Sequence, residues 1–154
     1  MKLTTLCYIE KDGKYLMLLR NKKKNDCNVG KWIGVGGKLF SFETPEECVK
    51  RETFEETGLK LKKAVFRGIV HFISDNWENE NMYLYTSDSF SGQLKECREG
   101  TLSWVKKDEI MNLNLWEGDK LFLEKLLNDA KVRPFEMTLS YEGDKLVFSK
   151  TEDL

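Results

Sequence analysis

Gly37-Lys38-Leu39-Phe40-Ser41-Phe42-Glu43, followed after seven residues by Arg51-Glu52-Thr53-Phe54-Glu55-Glu56-Thr57-Gly58-Leu59, is the part of the 154-residue sequence from which its fold can be read. The second stretch predicts a helix over residues 45–57. Thr44 supplies an N-cap, Pro45 suits the first helical position, Glu47 completes a capping box with Thr44, and Gly58 stands where the helix stops. At about 100° per residue, Glu52, Glu55 and Glu56 share one arc near the helix C-terminus, where the macrodipole already disfavours negative charge. Like-charge spacing between them costs roughly a few tenths of a kcal/mol more per pair.

A hard divalent cation resolves that conflict, because carboxylate oxygens are its preferred ligands. The competing interpretation is a solvated acidic face. The pair Gly36-Gly37 favours the cation, since it lets a backbone carbonyl or amide approach an ion or phosphate without a side chain in the way.

The length suits one domain, residues 1–154, with a substantial core. The 25 basic and 26 acidic residues nearly cancel, which argues against a partner such as long nucleic acid and leaves a small phosphorylated ligand open. No stretch approaches the roughly 18 apolar residues of a membrane span, so the expectation is a soluble cytoplasmic protein with no membrane partner. Cys7, Cys27, Cys48 and Cys97 have no C-x-x-C spacing, and His71 is the only histidine, so reduced thiols are expected and neither zinc nor a histidine-activated nucleophile is. His71, inside the apolar run Gly68 to Ile73, is expected in a structural or substrate-lining role.

Along the chain, Leu3 to Glu10 and Lys14 to Arg20 predict a hairpin around Lys11-Asp12-Gly13. Lys31 to Val35 predicts a short strand in which Trp32 faces either core or base, with core favoured by residue type. Leu59 to Ile73 and Met82 to Phe90 predict strands joined by the polar segment Ser74 to Asn81. Thr101 to Val105 predicts another, Lys107 to Leu113 a helical turn, and residues 120–129 a second helix capped by Asp119, with Leu123, Leu126, Leu127 and Ala130 as its apolar face. Arg133 to Tyr141 and Lys145 to Lys150 predict a closing hairpin, with Thr151 to Leu154 frayed. The periodicity supports a mixed α and β domain.

The quoted residues resemble the Nudix box, G-x5-E-x7-R-E-U-x-E-E-x-G-U with U apolar, at each fixed position: Gly37, Glu43, Arg51, Glu52, Glu55, Glu56, Gly58 and the terminal Leu59. Thr53 departs from the usual aliphatic residue and brings a hydroxyl to a core-facing position; Phe40-Ser41-Phe42 lacks the glycine that commonly precedes the first glutamate. The resemblance implies an α+β Nudix fold, an α/β/α sandwich with a curved mixed β-sheet, and Mg²⁺ (or Mn²⁺) held by Gly37, Glu52, Glu55, Glu56 and a loop carboxylate. Glu99 is the candidate for that carboxylate and Glu96 the second. Glu52, Glu55, Glu56 and Glu99 are thus the candidate catalytic residues, with Glu52 or Glu99 as proton acceptor and Arg51 pairing with Glu55. Glu43 would orient the loop or reach the site through water.

Lys31 to Lys38 and Leu115-Trp116-Glu117-Gly118-Asp119 look like MutT-type oxidised purine nucleoside triphosphatases. That resemblance implies a small-molecule nucleotide substrate, with Arg20 and Lys38 toward phosphate, Trp116 stacked on the base, Asp119 on its polar edge, and Ile33 where animal members carry asparagine. The expected reaction is hydrolysis of a nucleoside triphosphate, 8-oxo-dGTP or a related oxidised purine nucleotide, to monophosphate and pyrophosphate. The alternatives are a diphosphatase for another nucleoside diphosphate-linked compound and a non-catalytic nucleotide-binding module. The oligomeric state is left open.

Overall fold

Strand β1 (Lys2–Lys11) is buried on both faces, with Leu6 and Tyr8 entering one core and Cys7 and Ile9 the other. The computed structural model describes residues 1–128 and 133–154. β1 turns through Asp12 and Gly13, both at positive φ, into β2 (Lys14–Arg20). Paired positive φ values give a hairpin turn that matches strand twist. Yet β1 and β2 pair only beside the turn, at Glu10↔Tyr15 and Lys11↔Lys14. Beyond that they diverge.

The edge of β1 left open is filled by the glycine segment. Cys7 and Val35 exchange backbone hydrogen bonds (2.6 and 3.1 Å), Thr5 N donates to Gly37 O (2.8 Å), and Leu39 N donates to Leu3 O (3.0 Å). The predicted strand 31–35 is therefore shorter, β3 (Trp32–Ile33), and Val35 belongs to this seam. The other edge of β1 pairs in parallel with β5 (Glu80–Ser91), which lies antiparallel to β4 (Lys60–Ser74). Three register shifts along β4 bend it, as bulges do, and give the sheet its curvature. β6 (Gly100–Lys106) pairs with β2, β7 (Phe135–Glu142) lies parallel to β4, and β8 (Lys145–Asp153) closes the edge antiparallel to β7.

Helix α1 (Pro45–Thr57) has the predicted bounds, the capping box of Thr44 and Glu47, and Gly58 in the left-handed conformation. It sets Val49 against Cys7, Ile9, Leu16 and Val35. Helix α2 (Glu117–Asn128) covers the opposite face with Phe122, Leu123 and Leu126. The expected α/β/α layering follows, because β1 is apolar in both directions. The helical turn at 107–113 is a 3-10 helix, Lys107–Asn112.

Two expectations fail. α2 starts at Glu117, so Asp119 lies inside its first turn and is not a cap; its backbone N–H bonds Trp116 O at 3.1 Å, and its side chain is buried. The tail is not frayed at Thr151 to Asp153, because β7 offers a continuous partner as far as Phe135↔Asp153. Positions 129 and 130, part of the predicted second helix and its apolar face, lie outside the described residues.

Thr53 is fully buried under α1, and its hydroxyl has no hydrogen-bond partner among the described residues. Burying an unpaired hydroxyl costs about 1–3 kcal/mol. Thr53→Val keeps the β-branched shape and removes that cost. It should raise the urea midpoint without changing the slope and lift Tm by about 2–4 °C for each kcal/mol recovered; a lowered midpoint would show that the hydroxyl is satisfied after all.

Candidate functional site

The glycine pair lies directly beneath the acidic arc. A Cβ on Gly37 would sit 2.5 Å from the Glu52 carboxyl carbon, and one on Gly36 would sit 2.0 Å from Thr5 O. Only glycine lets β1, the loop and α1 approach this closely. Gly36 N donates to Glu56 at 3.0 Å. The Gly37 carbonyl, expected as a cation ligand, is occupied by Thr5 N and, at 3.4 Å, by the Thr5 hydroxyl.

Glu56 is buried, and its pKa is pushed up to about 8, first by desolvation and then by the charges of Glu99 and Glu52, against the Gly36 hydrogen bond. Burial also raises Glu52, in opposition to its Arg51 partner. Arg51 organises the helix end. Its guanidinium bonds Glu43 (2.5 and 2.9 Å), Glu52 (2.8 Å), Glu55 (3.3 Å) and Lys38 O (3.1 Å). The hydrogen bonds from Arg51 hold Glu43 down to about 2, so Glu43 is fixed as the anchor of the loop, with Phe40 N as a second donor. The expected Arg51–Glu55 pair is present but is the longest of these contacts.

A cleft of about 440 Å³ runs from Gly36, Gly37, Glu52 and Glu99 to Trp116 and Asp119. Of the sequence candidates, Arg20, Ile33, Gly37, Lys38, Glu52, Glu99, Trp116 and Asp119 line it. Glu55 does not; its side chain is 56% exposed on the far side of Arg51. Glu56 lies just behind the lining. Glu99, not Glu96, enters the cleft: Glu96 is 90% exposed on Lys22. Arg20, expected to face phosphate, is held by Asp26 (2.7 Å) and Glu99 (3.0 Å).

Among the described residues no three acidic, cysteine or histidine side chains converge into a closed cation cage, because Arg51 and Arg20 draw the carboxylates toward themselves. The donor set nevertheless fits a hard divalent ion. Burial and the neighbouring charge of Glu99 raise Glu52 and Glu56, all three side chains offer oxygen, and Glu52 and Glu99 open onto a cleft able to admit an ion with its phosphate ligands.

At the other end Trp116 lines the cleft, with Tyr141 edge-on at 5.4 Å and Lys31 Nζ 5.0 Å from the ring centroid. Asp119 is 4% exposed, makes no hydrogen bond through its carboxyl among the described residues, and has its pKa raised from 3.8 to about 8, by desolvation and then by Glu80, against Lys31. It is a neutral acid facing a cleft with its hydrogen-bonding capacity unused. Trp32 packs against the core from a partly buried position, as its residue type favours, and does not line the cleft. His71 bridges β5 and β7 through Asn81 and Glu136, both at 2.6 Å, and lies outside the cleft. Its role is structural.

Phe72, Met82, Glu80, Thr4 and Asn28 also line the cleft and were not singled out in the sequence. Phe72 and Met82 carry an apolar alternation that marks a sheet face but not a ligand. Asn28 gives no signal beyond a loop composition.

Residues 2–126 match the NUDIX domain family. The chain is 30% identical over 131 residues to the oxidized purine nucleoside triphosphate hydrolase of Danio rerio, covering 84% of this chain and 82% of that protein. It is 32% identical over 128 residues to an uncharacterized Nudix hydrolase of Bacillus subtilis, covering 80% and 77%. The crystal structure of a mutator MutT protein from Bacillus halodurans superposes with a TM-score of 0.85 at 28% identity, over 99% of this chain and 98% of that one. Sequence match, fold and the glycine-backed glutamate helix agree, and the chain belongs to the Nudix hydrolases of MutT type.

Proposed function

We propose that this hydrolase cleaves a purine nucleoside triphosphate, with 8-oxo-dGTP or a related oxidised purine nucleotide favoured, to monophosphate and pyrophosphate with Mg²⁺ or Mn²⁺. The observation that carries the proposal is the unpartnered, neutral Asp119 beside Trp116, at the opposite end of one cleft from Glu52 and Glu99. A stacking ring and a buried acid able to donate or accept suit a flat heterocycle with polar edges. The similarity to the Danio rerio oxidized purine nucleoside triphosphate hydrolase supports the same substrate class.

Glu52, Glu56 and Glu99 would hold the divalent ion, which when bound neutralises phosphate charge and acidifies water. Arg51 fixes Glu52 and ties it to the Glu43 anchor, so the carboxylate keeps one rotamer over Gly37. Arg20 does the same for Glu99. Glu52 and Glu99 both open onto the cleft and are the two candidates to accept a proton from the attacking water. Lys38, exposed at the cleft wall, is available to phosphate. Trp116 and Asp119 seat the base.

A second enzymatic reading has its own observation. The cleft lining also includes Lys2 and Trp77, the latter 48% exposed, so a longer nucleoside diphosphate-linked compound would find further surface there.

A panel of purine triphosphates, dinucleotides and nucleotide sugars with Mg²⁺ separates the two. Pyrophosphate release with the highest kcat/KM on an oxidised purine triphosphate is expected; none from any purine triphosphate would sink the proposal. Glu52→Gln and Glu56→Gln should each lower kcat by about 100-fold or more, and unchanged rates would remove the assigned carboxylates from the chemistry. Asp119 supplies a stability test. Its folded pKa of about 8 exceeds the unfolded value of 3.8, so the native state keeps a proton that the unfolded chain releases, and this group costs stability progressively as pH rises from about 4 to about 8. Asp119→Asn does not titrate, so its Tm relative to the parent should climb between pH 5 and pH 8; a constant difference across that window would mean that Asp119 is already ionised.

A further inference from the structure

Asn28 stands at the cleft wall beside Trp116 and Ile33, in the loop that follows β2. Its Oδ1 accepts the indole Nε1–H of Trp116 at 2.9 Å. An indole nitrogen only donates, so this contact fixes which end of the amide is oxygen. Nδ2 is therefore the end left over, and it makes no hydrogen bond among the described residues. The backbone of this residue is held as well, because Asn28 N donates to Asp26 Oδ1 at 3.0 Å, and Asp26 is itself pinned by Arg20. Ile33, on the same wall, has no polar atom to offer a base.

We infer that Asn28 is a specificity-determining residue: its Nδ2 presents a hydrogen-bond donor to the base seated on Trp116, and selects purines carrying a keto oxygen at position 6 over those carrying an amino group. This assignment deepens the proposed function and rests on the cleft being a purine-nucleotide site. The chemistry is a matter of matching. A carbonyl oxygen accepts from the amide N–H, whereas an amino group presents a second donor, leaving two donors opposed in a partly enclosed site. Opposed or unpaired polar groups in such a site are costly, which is how polar pockets discriminate between substrates of nearly equal size. Trp116 alone would not discriminate, since every base has a stacking face.

Asn28→Ala and Asn28→Asp test the inference. The aspartate keeps an oxygen to accept from Trp116 Nε1, so the ring stays tethered, but replaces the free donor by an acceptor. Binding of 8-oxo-dGMP, dGMP and dAMP is measured by calorimetry, independently of turnover, and kcat/KM is measured on the corresponding triphosphates with Mg²⁺. The parent should bind dGMP more tightly than dAMP. Asn28→Ala should weaken the 6-keto ligands by about tenfold and leave dAMP within about twofold, and Asn28→Asp should reverse the preference. Equal losses on all three ligands in both variants would overturn the inference and reduce Asn28 to a support for Trp116, as would absence of saturable binding by any purine monophosphate. The proposed reaction fails separately. If purine triphosphates are not hydrolysed while monophosphate selectivity responds to Asn28→Asp, the base assignment stands and the triphosphatase assignment falls. If 8-oxo-dGTP is hydrolysed while both variants keep the parent's selectivity, the triphosphatase assignment stands and the role of Asn28 falls.

Discussion

The structure turns on an electrostatic conflict that the backbone enforces. Gly36 and Gly37 are clamped along the open edge of β1, and α1 lies so close above them that Glu52 and Glu56 lose water while standing near one another and near Glu99. Each factor of ten in proton affinity is about 1.4 kcal/mol. A carboxyl carried from 4.5 to about 8 is thus several kcal/mol harder to ionise than in water. The apolar seam of Val49, Cys7, Ile9 and Val35 on the underside of α1 holds the helix down against this repulsion. Packing keeps like charges together here, and a divalent cation is the species whose binding reverses the sign of that cost.

The two arginines fit the same logic. Arg51 and Arg20 stand where the chain itself must balance charge, one on the helix end and one on the loop carboxylate. A guanidinium can satisfy two carboxylates at once through its fixed fork, which a lysine does not. Arg51 spans Glu43 and Glu52, and so couples the loop before α1 to the face of α1. Arg20 spans Asp26 and Glu99, and so couples the loop after β2 to the loop before β6.

How much of this the sequence discloses depends on how local the cause is. The bounds of α1 were legible because Thr44, Glu47 and Gly58 act within one turn of themselves. The acidic arc was legible because helical periodicity alone places Glu52, Glu55 and Glu56 together, although it does not show that Glu55 faces solvent across Arg51. The family resemblance points to a carboxylate in this loop, with Glu99 first and Glu96 second, and the structure pairs Glu99 with Arg20 at the cleft. The loss of β2 from β1 after two residue pairs was not legible, since nothing in either strand's pattern says which neighbour its edge will take. The reading of Asp119 as a helix cap fails for the same reason. An aspartate before an apolar helix is ordinarily a cap, and only the placement of Trp116 and Tyr141 reveals that this one is enclosed.

The loop from Arg20 to Asn28 was the least legible segment, and it connects the two ends of the cleft. From Glu99 the contacts run through Arg20 to Asp26, from the Asp26 carboxylate to Asn28 N, and from the Asn28 side chain to Trp116. Every step is a hydrogen bond or ion pair between groups with fixed geometry, so the position of the ring and that of the carboxylate are set by one short segment. Its composition, rich in lysine and asparagine, reads as solvated loop because most of its residues are exposed; the contacts that matter use a minority of side chains turned the other way. A base seated at Trp116 and a phosphate chain reaching Glu99 would each act on the same loop. The separation between them is then fixed by short polar contacts and not by the softer packing of the two helices, which is what alignment of a phosphoanhydride for in-line attack requires.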